Sequence, residues 1–161
     1  MNASRILSFW LSSAPPAPCT EHKKGDWIKC DDSGAARNSF VFRSSVDAVS
    51  LRTDGDRFRF PPDVSSPVCD WCVFDPGTKR SAFVELKGSD YKRALAQLRS
   101  TMGYMGNLYG LLPCSAVIVI SGAHPRNASP GKAQAKARFK KDFGIPPKEA
   151  NPGKYNGKDI L

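Results

Sequence analysis

Histidine is nearly missing from this chain: His22 and His124 are the only two in 161 residues. A Ser-His-Asp or Cys-His scheme would have to use one of them, and neither stands near a nucleophile motif. Long apolar runs are missing as well. No window approaches the ~18 consecutive residues of a membrane span, so a membrane partner is not expected. The N-terminal stretch Ile6-Leu7-Ser8-Phe9-Trp10-Leu11 is shorter than the roughly 7–15 residues of a signal-peptide core. Its Ile6, Leu7, Trp10 and Leu11 instead share one face of a short amphipathic helix. Acidic residues are in deficit, 15 Asp plus Glu against 24 Lys plus Arg, for a formal net charge of +9. That balance favours an acidic partner, and nucleic acid is the commonest one. Internal repeats are absent.

The cysteines do not form an even framework. There are five, at 19, 30, 69, 72 and 114, unlike the paired set of a small secreted domain. Cys69-Asp70-Trp71-Cys72 has CxxC spacing, but no second CxxC follows. In a strand over 68–74, Cys69 and Cys72 would also point to opposite faces, a poor geometry for one ion. Small buried hydrophobes in a reducing cytoplasm are the expectation. A zinc site on Cys19, Cys30, Cys69 and Cys72 is the competing one.

Hydrophobic residues make up 40% of the chain and charged residues 24%, a globular composition sized for one domain over 1–161. Residues 12–38 read as a loop with a short extended piece at Asp26–Cys30. Val46–Arg52 is a strand, Thr53-Asp54-Gly55-Asp56 a turn, and Arg57–Phe60 its return. Val68–Phe74 and Ser81–Leu86 flank the turn Asp75-Pro76-Gly77-Thr78. Asp90 is a helix N-cap, and Tyr91, Ala94, Leu95, Leu98, Met102 and Met105 predict a helix over 90–106, with Gly106 and Gly110 at its loose end. The unbroken apolar run Ser115–Ile120 predicts a central strand covered on both faces. A last helix over 132–143 turns Ala137, Phe139 and Phe143 inward, and 146–161 reads as an irregular tail. The fold class is therefore α/β, a mixed central sheet flanked by helices. Its core spans 46–121, between an N-terminal helix and loop extension (1–45) and a basic C-terminal helix and tail (122–161).

The chemistry concentrates between Asp70 and Lys87. If residues 76–79 form a four-residue hairpin loop, position 75 pairs with 80 and Asp70 falls opposite Glu85. Their Cβ atoms would then lie roughly 4.5–5.5 Å apart, with Lys87 projecting from the same face. Two facing carboxylates destabilise a sheet unless something compensates. Mg²⁺, which takes one or two carboxylates and keeps its waters, does so. A lysine beside such a water can orient it or steady charge on a phosphoryl group.

Asp70, then Glu85-Leu86-Lys87 ending the next strand, then a helix, resembles the PD-(D/E)xK nuclease superfamily, which includes restriction endonucleases and Holliday-junction resolvases. The resemblance covers about 46–121. It implies a restriction-endonuclease-like core, with Asp70 and Glu85 binding Mg²⁺ (or Mn²⁺), the Leu86 carbonyl as a further ligand and Lys87 positioning the attacking water. Gln97 in Ala-Leu-Ala-Gln-Leu matches a helix glutamine that faces the active site in many members. Many members add an early acidic residue. Glu21 and Asp47 are the candidates, and Asp47 is preferred because it lies in a predicted strand. Cys69 stands where the superfamily's nominal Pro precedes the aspartate.

The expected activity is metal-dependent hydrolysis of phosphodiester bonds, in DNA before RNA, with a non-catalytic nucleic-acid-binding module as the alternative. From Arg126 to Asp159, nine Lys and Arg face only Asp142, Glu149 and Asp159. Arg126, Lys132, Lys136 and Lys140 there, with Lys92 and Arg93 after the active strand, are candidate phosphate contacts. The short chain leaves little room for a recognition domain, so a homodimer or a specificity-giving protein partner is expected.

Overall fold

The hairpin over residues 71–87 sets the frame of the sheet. Its loop is held by the Asp75 carboxylate, which accepts from the Gly77 amide at 2.8 Å and the Thr78 hydroxyl at 2.6 Å. Lys79 closes the loop in the left-handed region at φ 63°, and Asp75 N–H then donates to the Arg80 carbonyl at 2.9 Å. An aspartate that bonds its own backbone two residues on is standard turn chemistry. Here it fixes a four-residue loop and hence the pairing of both strands.

This hairpin belongs to a computed structural model that describes residues 19–32, 39–54, 67–87, 90–120, 130–156 and 160–161. The expected helix through Ile6–Leu11 and the return strand Arg57–Phe60 lie outside these residues, as do His124 and Arg126. In chain order the elements are β1 (Cys19–His22), β2 (Trp27–Asp31), β3 (Ser39–Arg43), β4 (Ala48–Arg52), β5 (Trp71–Phe74) and β6 (Arg80–Lys87). Helix α1 (Tyr91–Tyr109), β7 (Leu112–Ile120), α2 (Pro130–Phe143), β8 (Lys148–Ala150) and β9 (Gly153–Asn156) follow.

The main sheet has the order β1-β4-β5-β6-β7-β8, and a second has the order β2-β3-β9. In the main sheet β1, β4, β5 and β6 pair antiparallel, whereas β6, β7 and β8 run parallel. The class is thus α/β with a mixed sheet. Parallel neighbours need crossovers, and α1 and α2 supply them. Two successive crossovers of one hand, stepping in one direction, put both helices on one face.

Alternation divides the core accordingly. Val49, Leu51, Cys72, Phe74, Phe83, Ala116, Ile118 and Ile120 face Ala94, Leu95, Leu98 and Met102 of α1 and Phe139 of α2. Val73, Ala82, Val84, Leu86, Val117 and Val119 face Ile28, Cys30, Phe40 and Phe42 of the small sheet. Among the described residues, then, helices cover one face only, and a sheet covers the other. Helix α1 starts as predicted, with the Asp90 carboxylate accepting from Arg93 N–H at 3.0 Å. It runs past Gly106 to Gly110, whose left-handed φ of 63° ends it, with its N–H on the Gly106 carbonyl.

Four expectations need correcting. Residues 12–38 contain β1 and β2 rather than a loop with one extended piece. The tail 146–161 contains β8 and β9, and Ile160 and Leu161 are buried. These strands are short and polar and draw their hydrogen bonds from β7 and β3, so no local pattern announces them. Ala137 is exposed. Ala135, Phe139 and Phe143, spaced by four, make the inward stripe of α2. Finally, Cys69 precedes β5 rather than lying in it, so Cys69 and Cys72 are both buried in the helix-side layer.

Phe83 is wholly buried between β5, β7 and the helices. Replacing it with Ala should cost about 3–5 kcal/mol through lost burial and a residual cavity. Urea unfolding should show a lower midpoint at an unchanged slope.

Candidate active site

The pairs Trp71↔Val84, Cys72↔Phe83, Val73↔Ala82 and Phe74↔Ser81 carry the register that the loop predicts. One step before Trp71, Asp70 reaches across the hairpin and its Oδ2 accepts from Leu86 N–H at 2.5 Å. The aspartate is thereby tied to the Glu85-Leu86-Lys87 segment through its own carboxylate.

Asp70 owes its place to a clamp on the three residues 68–70. Gln97 Nε2 donates to the Val68 carbonyl at 2.7 Å. Cys69 N–H donates to Thr101 Oγ1 at 2.8 Å, and the Thr101 hydroxyl itself donates to the Gln97 carbonyl at 2.9 Å. The Thr53 hydroxyl donates to the Cys69 carbonyl, and Thr53 N–H donates to the Asp70 carbonyl at 2.8 Å. Gln97 and Thr101 sit one helical turn apart on the buried side of α1, so the helix holds the segment from one side and β4 from the other. Thr53 and Thr101 escaped the sequence reading. Their signal was a pair of small hydroxyls, one closing a strand and one within an apolar helix stripe.

Glu85 lies inside β6, fully buried, two residues after Phe83 on the helix side. Burial, then the neighbouring Glu85 and Asp70 carboxylates, push the Cys69 thiol well above its ordinary range, even against its hydrogen bonds to Thr101 and Thr53. A carboxylate removed from water is costly unless cations or donors offset the loss. Gln97 Oε1, also buried, meets no hydrogen-bond partner among the described residues. Two hard oxygen ligands and a spare buried acceptor suit a cation that keeps its waters, since such waters donate hydrogen bonds. They do not suit a closed four-ligand site. No group of three or more His, Cys, Asp or Glu could hold a metal by itself among the described residues.

Other acids gather here than the ones expected. Arg52, at the end of β4 opposite Trp71, pairs with Asp54 at 2.8 Å and with Asp32 at 3.8 Å. The Asp54 hydrogen bond foremost, with the charges of Asp54, Asp32 and Asp70, pushes its guanidinium further up. Asp47 is not brought to Asp70. It precedes Ala48 at the far end of β4, roughly 20 Å away along the strand, and accepts from Lys24 N–H at 2.8 Å. Glu21, level with Val49 on β1, stands four residues back from the Asp70 level and two strands away from β5. The antiparallel direction of β4 sends both to the opposite edge.

Lys92, Arg93 and Lys140 are exposed, the first two on the opening turn of α1. Lys132 and Lys136 are engaged with Glu149. The zinc alternative loses its geometry, because Cys30 lies in the layer beyond the sheet from Cys69 and Cys72, and all five cysteines are unpaired thiols. Burial pushes Cys30, Cys69 and Cys72 strongly up, so they stay protonated.

Partial burial alone would raise the Glu149 carboxyl, but the hydrogen bonds and charges of Lys132 and Lys136 outweigh it and hold the group below its ordinary value. A carboxyl depressed by folding contributes stability above the unfolded pKa and loses it as pH falls through the folded one. The difference in urea midpoint between the wild type and Glu149→Gln should therefore begin to shrink as pH falls below about 4.3, the ordinary glutamate value, and disappear only beneath the depressed folded value. Thr101→Val, which strands the buried Cys69 N–H, should cost about 1–3 kcal/mol and speed amide exchange at Cys69 and Asp70. Unchanged exchange there would remove the clamp from the account.

Comparison of the chain with known protein families, curated proteins and solved structures finds no match.

Proposed function

We propose that this chain is a metal-dependent nuclease that hydrolyses phosphodiester bonds in DNA. The observation that carries the reading is the tie between Asp70 and the Glu85-Leu86-Lys87 segment, which sets two carboxylates at one end of the sheet. Asp70, Glu85 and the Leu86 carbonyl would hold Mg²⁺, for which Mn²⁺ can substitute. Bound Mg²⁺ supplies a Lewis acid at the phosphoryl oxygens and a more acidic water. Lys87, two residues beyond Glu85, would orient the attacking water and steady the negative charge that develops. Gln97 would hold the Asp70 segment through Nε2 and offer Oε1 to a water proton. The formal charge of +9 draws the polyanion to the surface.

A binding module without turnover is the second reading. It is favoured by the lack of a three-ligand group among the described residues.

A cleavage panel of linear, circular, branched and single-stranded DNA, with RNA alongside, separates the two. With Mg²⁺ the wild type should cut at least one of the DNAs. Asp70→Ala and Lys87→Ala should each lower the rate by roughly 10²-fold or more while still binding. Undiminished cutting by both variants would end the nuclease reading, and binding with no turnover on any substrate would favour the module.

A further inference from the structure

A second charged group occupies the same row of the sheet as the carboxylate pair. Glu85 is level with Ile118 across β6 and β7, and Ile118 is level with Glu149 across β7 and β8. Residues level with one another in parallel strands share a face. Glu149 therefore stands on the helix side, two strand spacings or roughly 10 Å from Glu85.

Helix α2 grips it there. Lys132 Nζ lies 2.7 Å from Glu149 Oε2, and Lys136 Nζ meets Oε1. The same two ammonium groups lie over the ring of Tyr91, 4.6 and 5.7 Å from its centroid. Tyr91 opens α1, and its hydroxyl is buried without a hydrogen-bond partner among the described residues. Burial, with the Glu149 charge added, pushes that phenol up, so it remains a neutral donor. Both Glu149 oxygens are already engaged by lysines. A buried hydroxyl donor is left over at a place otherwise furnished for an anion.

A phosphodiester carries the same single negative charge as a carboxylate but has more acceptor oxygens, enough for both lysines and the hydroxyl. Glu149 stands on a three-residue strand that, among the described residues, is paired on one side only, so turning its side chain away breaks no sheet pairing. We propose that Lys132, Lys136 and the Tyr91 hydroxyl form a phosphate subsite for the strand engaged at Asp70 and Glu85, and that Glu149 fills it until a backbone phosphate displaces it. The identity of the ligand rests on the nuclease reading. Glu149 is then an internal competitor that every bound strand must evict.

The test uses two variants of the full chain that break the same ion pairs from opposite sides: Glu149→Gln, and the double variant Lys132→Gln/Lys136→Gln. Binding of a short fluorescein-labelled single-stranded DNA is measured by anisotropy in metal-free buffer with EDTA, across a salt series, with melting curves for each protein. Glu149→Gln should bind roughly three- to tenfold more tightly, the size expected for releasing two half-exposed ion pairs. The double variant should bind more weakly, and its log–log salt slope should fall by about 1.4, the value for two lost contacts on a single strand. Both variants lose the same contacts, so a purely structural role predicts parallel losses of stability. Opposed binding shifts no larger than those of Glu21→Gln and Lys23→Gln/Lys24→Gln, which change the net charge equally at exposed residues elsewhere, are bulk charge alone and also overturn the subsite. Binding that stays at the wild-type value in both variants, or weakens in both, overturns the subsite. The wild-type cleavage panel is read separately. Cutting without the opposed shifts rejects the subsite and keeps the nuclease, whereas opposed shifts without cutting do the reverse.

Discussion

A slip of one residue at the loop 76–79 would exchange the two cores of this protein. Side chains alternate along β6, so Ser81, Phe83 and Glu85 lie under the helices, and Ala82, Val84 and Leu86 lie against the small sheet. Shifting the pairing by one would move every member of each set to the other layer. The Asp75 carboxylate, bonded to Gly77 and Thr78, opposes this with local chemistry. Everything downstream inherits the choice: which face Glu85 occupies, which amide Asp70 meets and which layer α1 must cover.

The same hairpin explains why part of the fold could be read in advance. Turn residues, alternation and an N-cap are short-range signals, and the 71–87 hairpin, α1 and β7 all carry them. β8 and β9 carry none: Lys-Glu-Ala and Gly-Lys-Tyr-Asn become strands only because β7 and β3 offer unpaired edges. The site divides along the same line. Asp70 comes to the Glu85-Leu86-Lys87 segment through a register that one loop fixes, which sequence can show. The direction of β4 relative to β5 decides that Asp54 and Arg52 stand near Asp70 while Asp47 stands far off, and no spacing along the chain encodes that. The helical pattern places Gln97 on α1, but its hold on Val68 depends on how α1 rests over the sheet.

Charge also looks different in three dimensions. The excess of lysine and arginine in the sequence suggests an open basic face, yet several of these groups are already answered. Arg52 is shared between Asp32 and Asp54, Arg99 pairs with Asp142 between the two helices, and Lys132 and Lys136 close on Glu149. Half-exposed pairs such as these add little stability each. Their larger effect is on availability, because a cation already paired attracts a distant polyanion less than the formal count suggests.

The parallel pairing of β3 with β9 matters for how the chain assembles. β2 and β3 emerge early in synthesis, whereas the strand that completes their sheet arrives only after residue 153. Until β6 and β7 have also been made, Ile28, Phe40 and Phe42 have no opposing layer to pack against. A nascent chain therefore carries an apolar hairpin face from the end of β3 until β7 has been made. Pairings this distant in sequence form slowly and leave strand edges open meanwhile. Production of this protein is accordingly most vulnerable during translation, when the hairpin is made and its cover is not.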